Sequence, residues 1–356
     1  MKIKLIDKPQ IIMSNPKSIH NYFAWPTVSL LKNNKIMVGA SGFRIEHICP
    51  FGKAVVSVST DNGETYTLPK PIIDTPLDDR DAGICTFGDN GVIVTSFNNS
   101  INMQREHNKE NEYAQSYIDT ITKEDEEKYL GSLFRVSTDG GITFGEIFHS
   151  PVTSPHGPTE LKDNTILWAG NNFNDYNSGI EVYSINAKNG KCDFVGKITL
   201  NNKNIVLCEP HLIELENSDL LCLIRGEDLG ETDSIFTIFQ SISSDKGKTW
   251  STPQMLLDET GGAPPHILKL KSGKLLCTYG RRKLPFGIMA MISSDNGKTW
   301  ETDIRLYENF VSDDIGYPST IELENGTLLT VFYAKENDET EPCVIMQQKW
   351  KIETES

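Results

Sequence analysis

One eight-residue pattern, Ser-x-Asp-x-Gly-x-Thr closed by an aromatic residue, occurs four times: STDNGETY from Ser59, STDGGITF from Ser137, SSDKGKTW from Ser243 and SSDNGKTW from Ser293. The copies stand 78, 106 and 50 positions apart, which fits one unit plus an insertion, two units, and one unit. A period near fifty decides the whole architecture. Each copy reads as a tight β turn: Gly63, Gly141, Gly247 and Gly297 accept positive φ, the Asp two residues earlier accepts hydrogen bonds from turn amides, and the aromatic residue re-enters the core. No acidic residue follows at the twelfth position of a calcium loop, so the repeat is a structural turn and does not carry the chemistry.

A second series supports the count. Short strands open at WPTVSLL (25–31), DAGICTF (81–87), PHGPTEL (155–161), PHLIEL (210–215), PHILKL (265–270) and YPSTIEL (317–323). A polar turn and then an apolar strand, such as LLCLIR or LLTVFY, follow each. His156, His211 and His266 stand 55 residues apart, at equivalent points of three neighbouring units. Strands and turns at this spacing, with almost no helical periodicity, predict an all-β six-bladed β-propeller formed by residues 1–356 as one domain. Residues 98–130 break the pattern with a charged stretch, expected to be one or two short helices inserted in the second blade, with Thr122 and Asp125 at a helix cap. A solvated insertion is expected there rather than a lid.

Composition narrows the partners. The chain of 356 residues is 38% hydrophobic and 23% charged, enough to bury a large core. Its net charge is −15 and its longest basic run is Arg281-Arg282-Lys283, which excludes nucleic acid or an anionic membrane as the main partner. Seven scattered cysteines without CxxC spacing suggest neither a disulfide framework nor a thiolate zinc site. The N-terminal stretch is interrupted by Asp7, Lys8 and Pro9 and lacks a signal-peptide core, and no run approaches the ~20 apolar residues of a membrane span. A cytoplasmic location is expected.

Radial repetition brings six strand starts to a central funnel, and the units differ there. Trp25, Arg80, Asp81, His156, Glu209, His211, His266 and Tyr317 open or precede the first strands, while Arg44, Glu46, His47, Arg225, Arg281 and Arg282 follow the second. Ionised groups crowded this way cost desolvation unless paired or used on a ligand, so the set reads as functional.

The four Asp-box hairpins and the count of six resemble the sialidase superfamily over nearly the whole chain. Three further matches carry the resemblance. CEPHLIELENSDLLCLIR supplies Glu209 and, 16 residues on, Arg225; GYPSTIEL places Tyr317 where the family has its tyrosine nucleophile; YGRRKLPFGIMAMISSDNG supplies Arg281 or Arg282 ahead of the last Asp box. The resemblance implies a retaining exo-glycoside hydrolase acting on a terminal acidic sugar. In it Glu209 takes the Tyr317 proton, Arg225 with Arg281 or Arg282 grips the anion, and no cofactor is needed. Arg44, Arg80, Asp81, the three histidines and Trp25 would complete the substrate contacts.

Two departures matter. Where the family has the first Arg of its triad this chain reads AWP, with Ala24, and Arg80 is the candidate replacement. Beyond Arg44, Glu46 or His47 stands where the family's acid/base Asp is expected. A different acidic sugar from ordinary sialic acid is implied. The histidines support two other readings: a divalent metal held by His156, His211 and His266, or lyase chemistry in which a His and Tyr pair removes a proton α to a uronate carboxylate. A glycan-binding propeller without catalysis is the third; it would use the arginines and Trp25 as a platform and leave Tyr317 and Glu209 idle.

Overall fold

The computed structural model describes residues 2–32, 34–228, 235–257, 262 and 264–353. They form six antiparallel sheets whose strands follow one another from inside to outside, the order of a six-bladed propeller. Blade I runs through Tyr22–Leu30, Ile36–Arg44, Lys53–Ser59 and Lys70–Ile73; blade II through Ile84–Phe87, Gly91–Phe97, Ser132–Ser137 and Ile147–Ser150. Blade III is built on Ile166–Asn172, which pairs with both Thr159–Glu160 and Val152–Thr153, and continues to Asp175–Ile185 and Cys192–Ile198. Blades IV and V begin at Ile205–Glu214 and His266–Lys269. Blade VI holds Gly316–Glu322, Leu328–Ala334 and Val344–Ile352.

The ring closes with strands from opposite ends of the chain. Ile3–Leu5 and Gln10–Met13 both pair antiparallel with Val344–Ile352, in registers such as Leu5 with Trp350 and Gln10 with Gln347. Six hydrophobic clusters fill the six gaps between adjacent blades. Phe134 and Trp168 pack in the gap between blades II and III, Leu212 and Phe239 between III and IV, and Phe332 and Trp350 between V and VI. Phe23, Trp25, Tyr317 and Tyr333 pack between VI and I, so the last gap joins the first blade to the last.

The repeated turns behave as the sequence predicts. In each, the Ser Oγ donates to the Asp carboxylate at 2.7–2.9 Å, the Gly N–H donates to that Ser at 2.8–2.9 Å, and the Thr N–H and hydroxyl both donate to the Asp. These bonds hold the Asp245 and Asp295 carboxyls down at about 2. Each turn joins the third strand to the fourth, whereas Trp25, Arg44 and Arg225 sit where first strands begin and second strands end. By strand direction the turns occupy one face of the disc and the candidate site the other.

The insertion lies on the site face and contains three helices rather than one or two: Ile101–His107, Glu112–Ile118 and Lys123–Tyr129. Short polar stretches at 108–111 and 119–122 interrupt it, and Thr122 and Asp125 form a reciprocal capping box. The insertion is not merely solvated. Gln104 Nε2 donates to Asp78 at 3.0 Å, Tyr113 stacks on Phe51 with ring centroids 4.9 Å apart, and the Tyr117 hydroxyl donates to the Pro76 carbonyl. Asn98 clamps its two stems through the Tyr129 carbonyl and the Gly131 N–H.

Trp350 is fully buried in the last gap and donates its indole N–H to Thr330. Trp350→Ala is expected to cost about 3–5 kcal/mol, read as a fall in the urea midpoint at unchanged slope.

Candidate active site

Four residues at the tops of first strands share a conformation that L-residues rarely adopt. Trp25, Asp81, Glu209 and Tyr317 have φ of 54°, 53°, 51° and 48°. The strand pairing slips beside three of them, between Ala24 and Thr27, Cys208 and His211, and Gly316 and Ser319. In those three the next residue is proline, which bars the preceding residue from the right-handed helical region. Each such residue costs about 1–3 kcal/mol, and the bulge re-aims its side chain out of the regular alternation.

Two of the four meet directly. The Tyr317 hydroxyl donates to Glu209 Oε1 at 2.6 Å, across 108 residues of sequence. Arg225 Nη1 donates to the other Glu209 oxygen at 2.7 Å, and its Nη2 donates to Glu227 at 2.7 Å. Burial first, then the Glu209 charge, push the Tyr317 phenol well above its ordinary range. Arg282 lies 5.8 Å from the Tyr317 ring and is held by the Ile315 carbonyl and the Tyr333 hydroxyl at 2.9 and 2.7 Å. Among the described residues no carboxylate lies within ion-pair distance of Arg282. Arg281 sits on the rim, bonded to the Leu284 carbonyl.

The other cations are committed to structure. All five N–H groups of Arg44 are used, on Ser41, on both Asp78 oxygens, and on the carbonyls of Glu46 and His47. Arg44 and Asp78 are both fully buried. Arg80 donates to the His47 carbonyl and stacks 4.1 Å over the Trp25 ring, so it braces the wall beside Ala24. His47 Nδ1 is held by Asp314 at 3.2 Å and the Tyr22 hydroxyl at 3.0 Å, and its ring meets Trp25 edge-on at 4.9 Å. The His47 side chain is 47% exposed, and partial desolvation still lowers its imidazole from the ordinary value despite Asp314. Glu46 is solvent-exposed and contributes only its carbonyl.

Asp81 stands apart. It lines a pocket of about 170 Å³ with Glu209, Asn99, Asn171, Phe173 and Tyr176. Burial pushes its carboxyl up to about 7, while Arg80 pulls it down and Glu209 pushes it further up.

The three histidines form a separate layer on the axis, two residues below Glu209 in the case of His211. His211 and His266 stack with centroids 4.6 Å apart, and His156 stands edge-on to both at 5.6 and 5.0 Å. Their hydrogen bonds assign the tautomers. His211 Nδ1 accepts from the Ile267 N–H and His266 Nδ1 from the Thr320 N–H, so both carry their proton on Nε2. Thr27 donates its hydroxyl to the Pro155 carbonyl and therefore accepts from His156 Nδ1, leaving His156 Nε2 bare and unpartnered. A divalent cation needs lone pairs on one side of all three rings, and two of them carry protons there. The set does not fit a metal, and among the described residues no cluster of three or more ligating side chains does.

Several participants carried little sequence signal. Glu227 was readable, since it stands two residues from Arg225 on one strand and so shares its face. Asp314, Tyr22 and Tyr333 lie in ordinary contexts, and which Asp of LDDRD would meet Arg44 is decided by folding alone.

Comparison with known proteins agrees with this picture. Residues 156–330 match the family described as BNR repeat-like domain. No curated protein matches the sequence. A protein of unknown function from Dyadobacter fermentans superposes with a TM-score of 0.77 at 19% identity, over 99% of both chains. The NanB sialidase of Streptococcus pneumoniae does so at 0.67 and 13%, over 97% of this chain and 71% of that one. The α-L-arabinanase of Penicillium chrysogenum complexed with arabinobiose gives 0.62 and 14%, over 98% of each. The chain is thus a six-bladed β-propeller with the fold of these sialidase and arabinanase structures, and its residues 156–330 are similar to a BNR repeat-like domain.

His211 yields a prediction with a definite sign. Burial lowers it from 6.5 to about 4, so as pH falls through that window the unfolded chain takes up the proton first and stability is lost. Asp79 and Asp81, pushed up to about 7, act in the opposite direction but equally in wild type and variant. Between pH 6.5 and 4, wild type is expected to lose about 3 kcal/mol more than His211→Gln, by urea unfolding at each pH.

Proposed function

We propose that the protein is a retaining exo-glycoside hydrolase that removes a terminal acidic sugar with Tyr317 as nucleophile and Glu209 as its base. The observation that carries this reading is the 2.6 Å bond from the Tyr317 hydroxyl to Glu209. A phenol kept protonated by burial is a weak nucleophile until its proton leaves, and Glu209 takes that proton as the oxygen attacks the anomeric carbon. The attacking phenol oxygen is itself uncharged and the Glu209 charge is offset by Arg225, which suits a substrate that carries its own anion. Arg225 positions Glu209, with Glu227 on its other side, rather than gripping substrate. That leaves Arg282, with Arg281 at the rim, for the anionic group of the sugar. Ala24, at the position where the resemblance puts the first triad arginine, favours a sugar other than sialic acid.

Tyr317→Phe is expected to lower kcat by a factor on the order of 10³ or more while sugar binding persists, on a panel of acidic oligosaccharides. A non-catalytic propeller would show no such loss. Proton NMR of the anomer first released is expected to show retention; an inverted product removes Tyr317 from the covalent role. Arg282→Ala is expected to raise KM at least about tenfold for a carboxylate-bearing substrate and far less for its methyl ester.

A further inference from the structure

A glycosidic oxygen leaves as an alkoxide unless a proton reaches it, so the reading above needs an acid that holds its proton before the reaction begins. Three groups around the funnel could provide one. Glu46 is exposed to water and does not line the pocket that Glu209 lines. His47 has Nδ1 committed to Asp314 and Tyr22 and is biased toward its neutral form, which suits a base rather than an acid. Asp81 lines the same pocket as Glu209 and is carried there by the same left-handed backbone as Glu209 and Tyr317. It is 7% exposed, and among the described residues no group donates a hydrogen bond to its carboxyl. A buried carboxyl with strained backbone and no partner is expensive, which fits one reserved for a ligand.

We infer that Asp81 is the general acid and base of this site. The inference rests on the hydrolase reading. In the first half-reaction the Asp81 proton passes to the glycosidic oxygen as its bond to the anomeric carbon breaks. Tyr317 oxygen forms the new bond and its proton goes to Glu209. In the second, the Asp81 carboxylate takes a proton from water, the water oxygen attacks the anomeric carbon, and the departing Tyr317 oxygen recovers its proton from Glu209. One glycoside and one water yield two alcohols, and every proton returns to its owner.

The charges facing Asp81 suit both roles. Arg80 and Arg44 favour the carboxylate, Glu209 and Asp78 favour the acid, and burial tips the balance so that the proton is held to about pH 7. Tyr317 and Tyr176, the other titratable groups near it, stay protonated through that range.

The test uses the full-length protein with methyl and 4-nitrophenyl glycosides of N-acetylneuraminic, 2-keto-3-deoxynononic, glucuronic and galacturonic acids. Asp81→Asn keeps the shape, and asparagine tolerates positive φ, so the variant is expected to fold. Its kcat/KM on the methyl glycoside is expected to fall about 10²- to 10⁴-fold, with less than about a tenfold loss of kcat/KM on the 4-nitrophenyl glycoside, whose leaving group needs no proton; kcat falls on both, because the second half-reaction loses its base. The alkaline limb of kcat/KM near pH 7 should vanish with it. Asp81→Gly should regain turnover of the 4-nitrophenyl substrate with azide, giving the glycosyl azide. Equal losses of kcat/KM on both leaving groups, or an unchanged alkaline limb, overturn the role of Asp81 alone. Failure of wild type to release sugar from any member overturns the hydrolase reading, and Asp81 as its acid with it.

Discussion

The pairing of Ile3–Leu5 and Gln10–Met13 with Val344–Ile352 is the constraint on which the site depends. Six sheets in a row would leave an open end and an unfilled gap; the shared last blade turns the row into a ring. Only in a ring do Tyr317, in the last blade, and Glu209, in the fourth, stand across one cavity. The cluster of Phe23, Trp25, Tyr317 and Tyr333 fills the closing gap, so the seam is also a wall of the site.

The strain at the tops of the first strands follows from what the cavity must contain. A regular strand would point alternate side chains along the axis wall. The bulges at Trp25, Glu209 and Tyr317, each followed by a proline, turn these residues toward the funnel instead. The rigid strands and packed gaps beneath them offset the backbone cost. Charge is handled the same way: Arg44 is balanced by Asp78, and Arg225 by Glu209 and Glu227. Among the described residues the pairing leaves Arg282 without a carboxylate and Asp81 without a hydrogen-bond donor, and the proposed chemistry rests on these two groups.

Much of the fold was legible because turn chemistry is local. Ser, Asp, Gly and Thr at fixed offsets determine each hairpin without help from the rest of the chain, and four copies reveal the period. The capping pair Thr122 and Asp125 was legible for the same reason. The docking of the insertion was not, since Gln104 meeting Asp78 and Tyr113 meeting Phe51 depend on how far blade I reaches.

By itself the sequence determined the repeat, the six units and the residues that open each inner strand, because turns and alternation act over a few residues. Which of those residues face the cavity, which arginines are spent on carboxylates, and that the three histidines lie a layer below as hydrogen-bonded neutral rings were decided by tertiary structure. Those outcomes depend on desolvation and on partners brought in from other strands and other blades, and neither is set until the ring has closed.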